Sequence, residues 1–481
     1  MFRGTLVDGA RGDAFVCETA GNLVKRYDLE DRDGVPVATP VHHESEFLAS
    51  TDERFRPVNL ATGPDGGLYV VDFARGIVQH RIYMTTWLRK QVDDRGLATP
   101  IGMGRIWRIV DEDAPTMVER RDLGAMDDLE LVAVIRDDDN GFLRDTAQRL
   151  LVERMASEVE PDLRSIALDP DVDPARRIQA LWTLEGVDAL ASSIVETTAT
   201  DDVEIVREHA ARLAESLPSH LAIGVLERLA DDPSPRVRMQ AVLSIGSLPS
   251  SEALPAFDAV LSARAEDESI RRAIVSGLGG RELQMLRTQA APGRRSWLSD
   301  PGAGQRVFIR ELVDGMLKRG DAADATALLA LASSWSDDAT GTSLLLLDRV
   351  AARTKPGSKR PKRLDLRGEP AGWSRVISAA PGDCDERIVE QVRLVDSTLA
   401  WPGRPGLEQV VDFDTSTAGL LARGRTLFAH CMGCHQPNGR GIPPVYPPLD
   451  ESRWVTGSPE RLARILLHGV QGRIEVQDRK S

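Results

Sequence analysis

The stretch that decides the organisation of this chain is Cys431-Met432-Gly433-Cys434-His435. It matches the pattern C-x-x-C-H, in which two thiols form thioethers to one porphyrin and the imidazole that follows binds the iron. The pattern therefore predicts covalent haem c attached through Cys431 and Cys434, with His435 as the proximal iron ligand. A protein with this group carries electrons.

Two cysteines at this spacing also occur in zinc sites and in thioredoxin-like redox pairs. A zinc site needs two more ligands, whereas the other cysteines, Cys17 and Cys384, are single and distant. A thioredoxin motif follows a strand and opens a helix, whereas here a helix precedes the motif. The residues favour haem attachment over both, and the remaining alternative is a chance match or an unmodified motif.

The helix before the motif is predicted from its cap and its periodicity. Ser416 or Thr417 can cap it, and its apolar or small positions recur at helical spacing. These positions are Leu420, Leu421, Gly424, Leu427 and Phe428. Gly424 and Phe428 resemble the first helix of small cytochromes c, where the glycine permits a close helix crossing and the aromatic ring packs near the haem.

The loop after the motif is also similar to that family. Residues 439–449 are rich in Pro and Gly, and a carbonyl in the part of this loop that contains Pro447 and Pro448 is expected to orient the His435 imidazole.

A distal iron ligand is the part of the pattern that the sequence lacks. Small cytochromes c of this type use a methionine well downstream of the motif, but no Met follows Met432. His468 is a candidate distal ligand, and the alternative is a residue near the C-terminal end of a helix predicted over residues 459–467. We therefore expect the cytochrome c-like domain, residues 416–481, to be incomplete at its C-terminus.

Composition limits the function. Hydrophobic residues make up 42% and charged residues 28% of 481 residues, as in a globular protein with two to four domains. The net charge of -14 argues against nucleic acid as a partner, and favours a redox partner protein with a basic or neutral docking face.

Location is predicted from the cofactor. Haem c is attached outside the cytoplasm, so we expect a periplasmic or cell-surface protein. The sequence shows no signal peptide at Met1 and no apolar run of 18 residues, so no transmembrane segment is predicted. The expectation is a start codon misplaced within a longer gene, and the alternative is that haem is never attached.

Residues 1–112 are predicted to form β-strands. Turn signals separate strand-like runs at residues 13–18, 22–28, 58–62, 68–72 and 104–110. One of these turns is Gly63-Pro64-Asp65-Gly66, in which Pro fixes φ and Gly accepts a positive φ. The repeated order resembles the blades of a β-propeller, of which this length holds only about two.

Residues 44–57, 63–66, 69–72 and 75–80 resemble the last propeller blades of the PVC-type haem-binding CxxCH proteins, also named membrane-bound dehydrogenases. The resemblance implies a propeller similar to that of soluble quinoprotein sugar dehydrogenases, then HEAT-like helices, then a cytochrome c domain. It implies a quinone cofactor only in the intact propeller, and we expect most of that propeller to be missing here. Whether this chain is itself an enzyme stays open.

Residues 113–350 are predicted to be a HEAT-like α-solenoid. An arginine recurs at Arg144, Arg177, Arg207, Arg238 and Arg271, at spacings of 33, 30, 31 and 33 residues. Several follow an acidic turn, and four are followed three residues later by an alanine, at Ala147, Ala180, Ala210 and Ala241. A repeat of this length indicates stacked helix pairs. The arginines are predicted to bond to the preceding turns, and the alternative is a row that binds a ligand.

Residues 351–415 are predicted to be a linker with helical segments, one of them at residues 386–395. The basic run at residues 353–363 favours a solvated linker over an anionic-surface patch. His42 and His43 with Glu44 and Glu46 suggest a metal site only weakly, and His80 would need partners from absent blades to act as a base.

Three functions remain in view. The first is an electron carrier on a scaffold, forming the electron-transfer part of a propeller-type dehydrogenase. The second is a HEAT-repeat interaction scaffold with a degenerate haem domain and a protein partner on the solenoid. The third is a quinone-dependent sugar or alcohol dehydrogenase in its own right.

We expect the iron of this chain to lack a strong sixth ligand. A five-coordinate or water-bound iron is high-spin, binds carbon monoxide readily and has a lower reduction potential than a His/Met centre. Absorption spectra of the ferrous protein with and without carbon monoxide measure this. A low-spin spectrum that carbon monoxide leaves unchanged, and that His468→Ala abolishes, would instead identify His468 as the distal ligand.

Overall fold

The computed structural model describes residues 1–32, 34–80, 83–115, 121–290, 298, 300–334, 340–358, 361–379, 385–404, 417–442, 446–450, 452–469, 475–476 and 479–480. The chain divides into two compact units, an N-terminal unit (Met1–Leu399) and a C-terminal unit (Ala400–Ser481).

The N-terminal unit begins with two small antiparallel sheets. Their strands are β1 (Ala14–Glu18), β2 (Leu23–Arg32), β3 (Val35–Pro40), β4 (Leu48–Ala49), β5 (Pro57–Thr62), β6 (Leu68–Asp72) and β7 (Arg105–Ile109), and helix α1 (Thr86–Asp94) precedes β7. The first sheet has the order β1-β2-β3 with β4 on β2, and the second has the order β5-β6-β7. The predicted β-rich region is confirmed, and these two sheets do not show a propeller.

The turn between β5 and β6 forms as its sequence predicts. Gly66 has φ +89°, and the N–H of Gly67 donates to the Asp65 carboxylate at 3.1 Å. A Cβ at Gly66 would collide with the Thr5 side chain, so glycine is required there. The turn thus brings the N-terminal segment against the sheet, where Phe2 and Leu68 share a core cluster.

Fourteen helices follow in the part of the chain that the structure describes between residues 128 and 354. They are α2 (Asp128–Asp137), α3 (Gly141–Glu153), α4 (Glu160–Leu168), α5 (Pro174–Gly186), α6 (Ser192–Thr198), α7 (Glu204–Leu213), α8 (Ser219–Leu229), α9 (Pro235–Ile245), α10 (Ser250–Arg264), α11 (Glu268–Leu278), α12 (Glu282–Gln289), α13 (Ala303–Arg319), α14 (Ala322–Ser334) and α15 (Thr340–Thr354). Each packs mainly on its neighbours in sequence or on the next helix but one. The predicted helical solenoid is confirmed.

The repeated arginines form the predicted ladder. Four of them donate to the carbonyl six residues earlier: Arg144 to Asp138 (2.8 Å), Arg207 to Asp201 (2.6 Å), Arg238 to Asp232 (2.7 Å) and Arg271 to Ala265 (2.7 Å). Arg177 donates instead to the Ala167 carbonyl at 3.2 Å. Arg177 and Arg207 also pair with the aspartate of the following turn, Asp201 and Asp232 respectively. Each arginine therefore bonds its own helix to the segment before it, and two of them also bond that helix to the following repeat.

The alanines that follow the arginines are buried as predicted. Ala147, Ala180, Ala210 and Ala241 are all 0% exposed. A larger side chain at these positions would separate helices that touch through them.

The sheets and the solenoid are bonded into one unit. The Asn140 side chain, at the N-terminus of α3, donates to the carbonyls of Gly63 and Pro64 at 3.1 and 3.0 Å. At the tip of the β2–β3 hairpin, Asp31 lies 3.6 Å from Arg236 of α9. The predicted turn at residues 63–66 and the β2–β3 hairpin, which was not predicted, therefore both hold the sheets against the solenoid.

The stretch predicted as a linker contains short strand β8 (Leu364–Asp365), helices α16 (Trp373–Ile377) and α17 (Glu386–Asp396), and strand β9 (Leu399–Ala400). The predicted helical segment at residues 386–395 is confirmed by α17. Both helices pack on the solenoid end, and Trp373 and Val392 are buried there. Strand β8 and helices α16 and α17 therefore extend the packed N-terminal unit.

The C-terminal unit contains helices α18 (Thr417–Phe428), α19 (Met432–His435) and α20 (Pro459–His468), and strands β10 (Glu475–Val476) and β11 (Arg479–Lys480). Helices are thus predicted correctly on both sides of the motif. Among the residues that the structure describes, no helix has the length and apolarity to cross a membrane.

A half-buried histidine makes the solenoid sensitive to pH. Trp182 of α5 donates its indole N–H to Nδ1 of His209 on α7 at 2.9 Å. Burial, with Arg212 and Arg236 nearby, lowers the pKa of His209 to about 4. Since the unfolded chain binds a proton near the ordinary value of 6.5, the folded state loses stability as pH falls from about 6.5 to about 4.

We expect His209 to account for about 1 to 3 kcal/mol of that loss. His209→Gln keeps an acceptor for Trp182 but does not titrate, so the free energy of unfolding of this variant should depend less on pH between 4 and 6.5. Urea denaturation at several pH values measures it. His220→Gln replaces an exposed histidine of α8 as a control for removing an imidazole. An unchanged pH profile for His209→Gln contradicts the prediction.

Candidate haem site

The motif forms a single helical turn directly after α18. The Cys431 N–H donates to the Phe428 carbonyl at 2.8 Å, and the His435 N–H donates to the Cys431 carbonyl at 2.9 Å. Residues three and four apart lie on one face of such a turn. Cys434 and His435 therefore lie on the same side as Cys431, and all three side chains are partly exposed.

The loop after the motif fixes the His435 imidazole. Its Nδ1 lies 2.9 Å from the carbonyl oxygen of Pro447. A carbonyl only accepts hydrogen bonds, so Nδ1 must carry the proton and Nε2 keeps its lone pair. This is the tautomer that an iron ligand needs, and the predicted role of a carbonyl in this loop is confirmed.

A narrow hairpin of the loop delivers that carbonyl. Ile442 and Tyr446 exchange backbone hydrogen bonds of 2.9 and 2.8 Å, and the Gly441 N–H donates to the His435 carbonyl at 2.9 Å. Gly441 has φ +63°, and a Cβ there would lie 2.6 Å from the Pro447 oxygen. Only glycine lets the chain pass this close to the carbonyl that holds the imidazole.

The helices on either side of the motif carry exposed apolar side chains. Leu420, Leu421 and Leu427 of α18 are 53 to 65% exposed, and Leu466 and Leu467 of α20 are 72 and 76% exposed. A porphyrin is a large apolar plate, and side chains of this kind would pack against it. Together with two partly exposed thiols and an imidazole nitrogen with a lone pair, they fit a covalently bound haem.

Three predicted features of the site are not settled by the described residues. No described atom lies within 4 Å of a Cβ placed at Gly424, so the structure shows no close helix crossing there. His468 is the last residue of α20 but its side chain lies outside the described part, so its role as distal ligand stays a prediction. Ser416 and residues 443–445 also lie outside it.

The other candidate residues do not assemble into a site. His42, His43, Glu44 and Glu46 line a surface pocket with Lys25, but the described residues contain no group of three side chains that could hold a metal. His80 is exposed, and its ring lies 6.5 Å from that of Tyr83. Cys17 is on β1, where burial raises the pKa of its thiol. Cys384 lies outside the described residues.

Two residues near the motif were missed by sequence reasoning. The Tyr446 ring stands edge-on to the His435 ring at 6.5 Å between centroids, and Gly441 has the steric role described above. The sequence placed the acceptor of the imidazole in the segment with Pro447 and Pro448, but the Gly-x-Gly spacing at residues 439–441 is the signal that could have shown where the chain must pass close to it.

Three family models match separate parts of the chain. Residues 2–113 match a domain of unknown function (DUF7133), residues 191–279 and 224–300 match HEAT repeats, and residues 421–480 match cytochrome c. The chain therefore combines a DUF7133 domain, HEAT repeats and a cytochrome c domain. The cytochrome c domain implies covalent haem c.

The curated relatives match a short part of the chain. Cytochrome c-552 of Thermus thermophilus is 46% identical over 63 residues, which are 12% of this chain and 48% of that protein. A second cytochrome c-552 of the same organism has the same identity over 43% of its length. The chain thus spans about half the length of the curated relatives it matches.

Solved structures give a weaker likeness. The complex of CpcE and CpcF of phycocyanin lyase from Nostoc sp. PCC7120 covers 60% of this chain and all of its own, with 15% identity and a TM-score of 0.27. A TM-score this low supports no conclusion on fold or function.

Gly441→Ala should release the His435 imidazole from Pro447. The added methyl group would displace the Pro447 carbonyl and strain a backbone with positive φ, at a cost of about 1 to 3 kcal/mol. Loss of the hydrogen bond makes the imidazole a weaker donor, so the reduction potential of the haem should rise. Redox titration and thermal unfolding of the haem-loaded protein measure both effects.

Gly433→Ala is the matched control, since a Cβ at Gly433 meets nothing within 4 Å. Equal changes in the two variants would show that the Pro447 contact does not hold the imidazole.

Proposed function

We propose that the C-terminal unit is an electron carrier whose haem c is held by Cys431, Cys434 and His435. One observation supports the proposal most directly. The Pro447 carbonyl 2.9 Å from Nδ1 of His435 leaves Nε2 as the nitrogen that can bind iron. A family match to cytochrome c over residues 421–480 supports the same assignment.

Each residue of the proposed site has a separate task. Cys431 and Cys434 anchor the porphyrin at two points, so the cofactor cannot dissociate. His435 gives the iron a ligand whose direction the loop fixes in advance, so little reorganisation accompanies a change of oxidation state. When bound, haem c exchanges one electron as its iron cycles between the ferrous and ferric states.

The apolar side chains of α18 and α20 limit the access of water to the proposed cofactor. Leu420 and Leu427 are seven residues apart and so share one face of α18. Removing water lowers the local dielectric constant and disfavours the more charged oxidation state, which raises the reduction potential. Leu466 would act in the same way from α20.

The N-terminal unit has the role of a scaffold in this proposal. HEAT repeats imply binding of a protein partner, and the arginine ladder makes their stack rigid enough to present one surface. The resemblance to PVC-type haem-binding CxxCH proteins extends the proposal to a propeller-type dehydrogenase with a quinone cofactor, which would supply electrons to the haem in the intact protein.

Haem c proteins are typically extracytoplasmic, and we place this one in the periplasm or at the cell surface. The partner is then a redox protein of the same compartment. The second candidate function, an interaction scaffold with a degenerate haem domain, requires that the motif stays unmodified, so one experiment separates the two.

Replacing both Cys431 and Cys434 by Ala should abolish haem that survives acid extraction, because no covalent bond to the porphyrin remains. The measurement is a pyridine haemochrome spectrum of protein produced together with the cytochrome c maturation machinery. Cys17→Ala, which changes a cysteine on β1, should keep the haem.

The His435→Ala variant tests the proposed iron ligand. The thioethers should form in this variant, but the spectrum should lose the signature of an axial imidazole. If the unmodified chain carries no haem, or if the double cysteine variant keeps it, the proposed electron carrier is wrong.

A further inference from the structure

Charge is distributed unevenly between the two units. Residues 1–399 contain 50 Arg and Lys against 66 Asp and Glu, whereas residues 400–481 contain ten against eight. The formal charges are therefore -16 and +2. The N-terminal unit therefore accounts for the negative net charge of the whole chain, which is -14.

The positive charge of the C-terminal unit lies in the stretch that carries the motif. Between residues 417 and 469 the sequence has six arginines, no lysine and three carboxylates. All six arginine side chains are exposed: Arg423, Arg425, Arg440, Arg453, Arg461 and Arg464.

Several of these arginines border the proposed haem site. At 100° per residue, the exposed leucines of α18 (Leu420, Leu421 and Leu427) span one face, and Arg423 and Arg425 lie about 40° beyond its two opposite edges. Arg440 follows His435 by five residues, in the loop that holds the imidazole. The motif is thus bracketed by arginine on both sides along the chain.

The contacts of Arg440 and Arg461 leave the charge of both side chains in place. Arg440 lies 3.7 Å from Asp450, but the two side chains are 76 and 48% exposed, and an ion pair so open to water is weak. The Arg461 guanidinium lies 5.8 Å from the centre of the Trp454 ring, a contact that keeps its charge.

We propose that the redox partner of this protein presents an acidic docking face to the haem site. The inference rests on the proposed function and adds the kind of partner. Salt screens charges beyond about 8 to 10 Å, so the arginines near the motif, rather than the net charge, set the field that a partner meets there. Complementary charge speeds encounter and fixes orientation. The net charge alone predicts the opposite, a basic or neutral face.

Small redox ions of opposite charge test the sign of this field on the full-length, haem-loaded chain. In each reaction one electron leaves the ferrous haem, which becomes ferric, and reduces the probe, either ferricyanide to ferrocyanide or tris(phenanthroline)cobalt(III) to cobalt(II). Stopped-flow rate constants are measured between about 10 mM and about 500 mM ionic strength. We expect the constant for anionic ferricyanide to fall about threefold or more, and that for the cationic cobalt complex to rise.

Charge-reversal variants show which residues produce the salt dependence of the two rate constants. Arg425→Glu with Arg440→Glu should weaken or invert both salt dependences. Arg287→Glu with Lys318→Glu changes the net charge by the same amount at exposed positions of the N-terminal unit, and should leave both dependences as they are. If the first pair fails to fold, the salt dependences of the unmodified protein still decide the sign.

The outcomes separate the two claims. A haem-loaded protein whose reaction with ferricyanide speeds up with salt, or that shows no salt dependence with either probe, overturns the acidic partner and leaves the electron carrier intact. Equal effects of the two charge-reversal pairs also overturn it. A chain without covalent haem overturns the proposed function, and this inference with it.

Discussion

A buried guanidinium cannot lose its proton, so it must find acceptors wherever the fold places it, and this requirement organises the solenoid. Arg144, Arg177 and Arg271 are 7% exposed or less. Backbone carbonyls of the preceding turns accept from Arg144 and Arg271, and a carbonyl at the end of α4 accepts from Arg177. Arg177 and Arg207 also pair with the aspartate of the next repeat. Removing one partner would leave a buried charge unpaired, which costs more than the bond contributes. The arginine hydrogen bonds therefore stabilise both the turns and the packing of adjacent repeats.

The same rule decides the proton on two histidines, with opposite results. His435 faces a carbonyl, which can only accept, so its Nδ1 is protonated and Nε2 keeps a lone pair. His209 faces an indole N–H, which can only donate, so its Nδ1 has the lone pair. One arrangement prepares a nitrogen for iron. The other lies in a buried site, where burial and the nearby Arg212 and Arg236 lower the pKa of His209 and make the solenoid less stable in acid.

The two units differ in what holds them together. The described helices of the solenoid bury large apolar side chains and alanines between them. In the C-terminal unit, Leu420, Leu421, Leu427, Leu466 and Leu467 remain exposed, and backbone hydrogen bonds hold the loop against His435. A unit of this kind derives much of its stability from the group it binds. This is why cofactor attachment and folding are expected to be coupled there.

Sequence alone determined the parts that depend on local chemistry or on a repeated spacing. The motif at Cys431, the arginine period, the buried alanines and the turn at Gly66 are all visible in the order of residues, because each needs a fixed residue type at a fixed distance along the chain. Five of the seven strands in the two small sheets were also foreseen, whereas β3 and β4 were not, and an assembly into propeller blades is not shown. Tertiary structure decided the rest. Three contacts depend on how distant segments fold back on each other. They join the Pro447 carbonyl to His435, Trp182 to His209, and the Asn140 side chain to the turn at Gly63. Such contacts have no period and no motif, since a single hydrogen bond between remote residues leaves no pattern along the sequence.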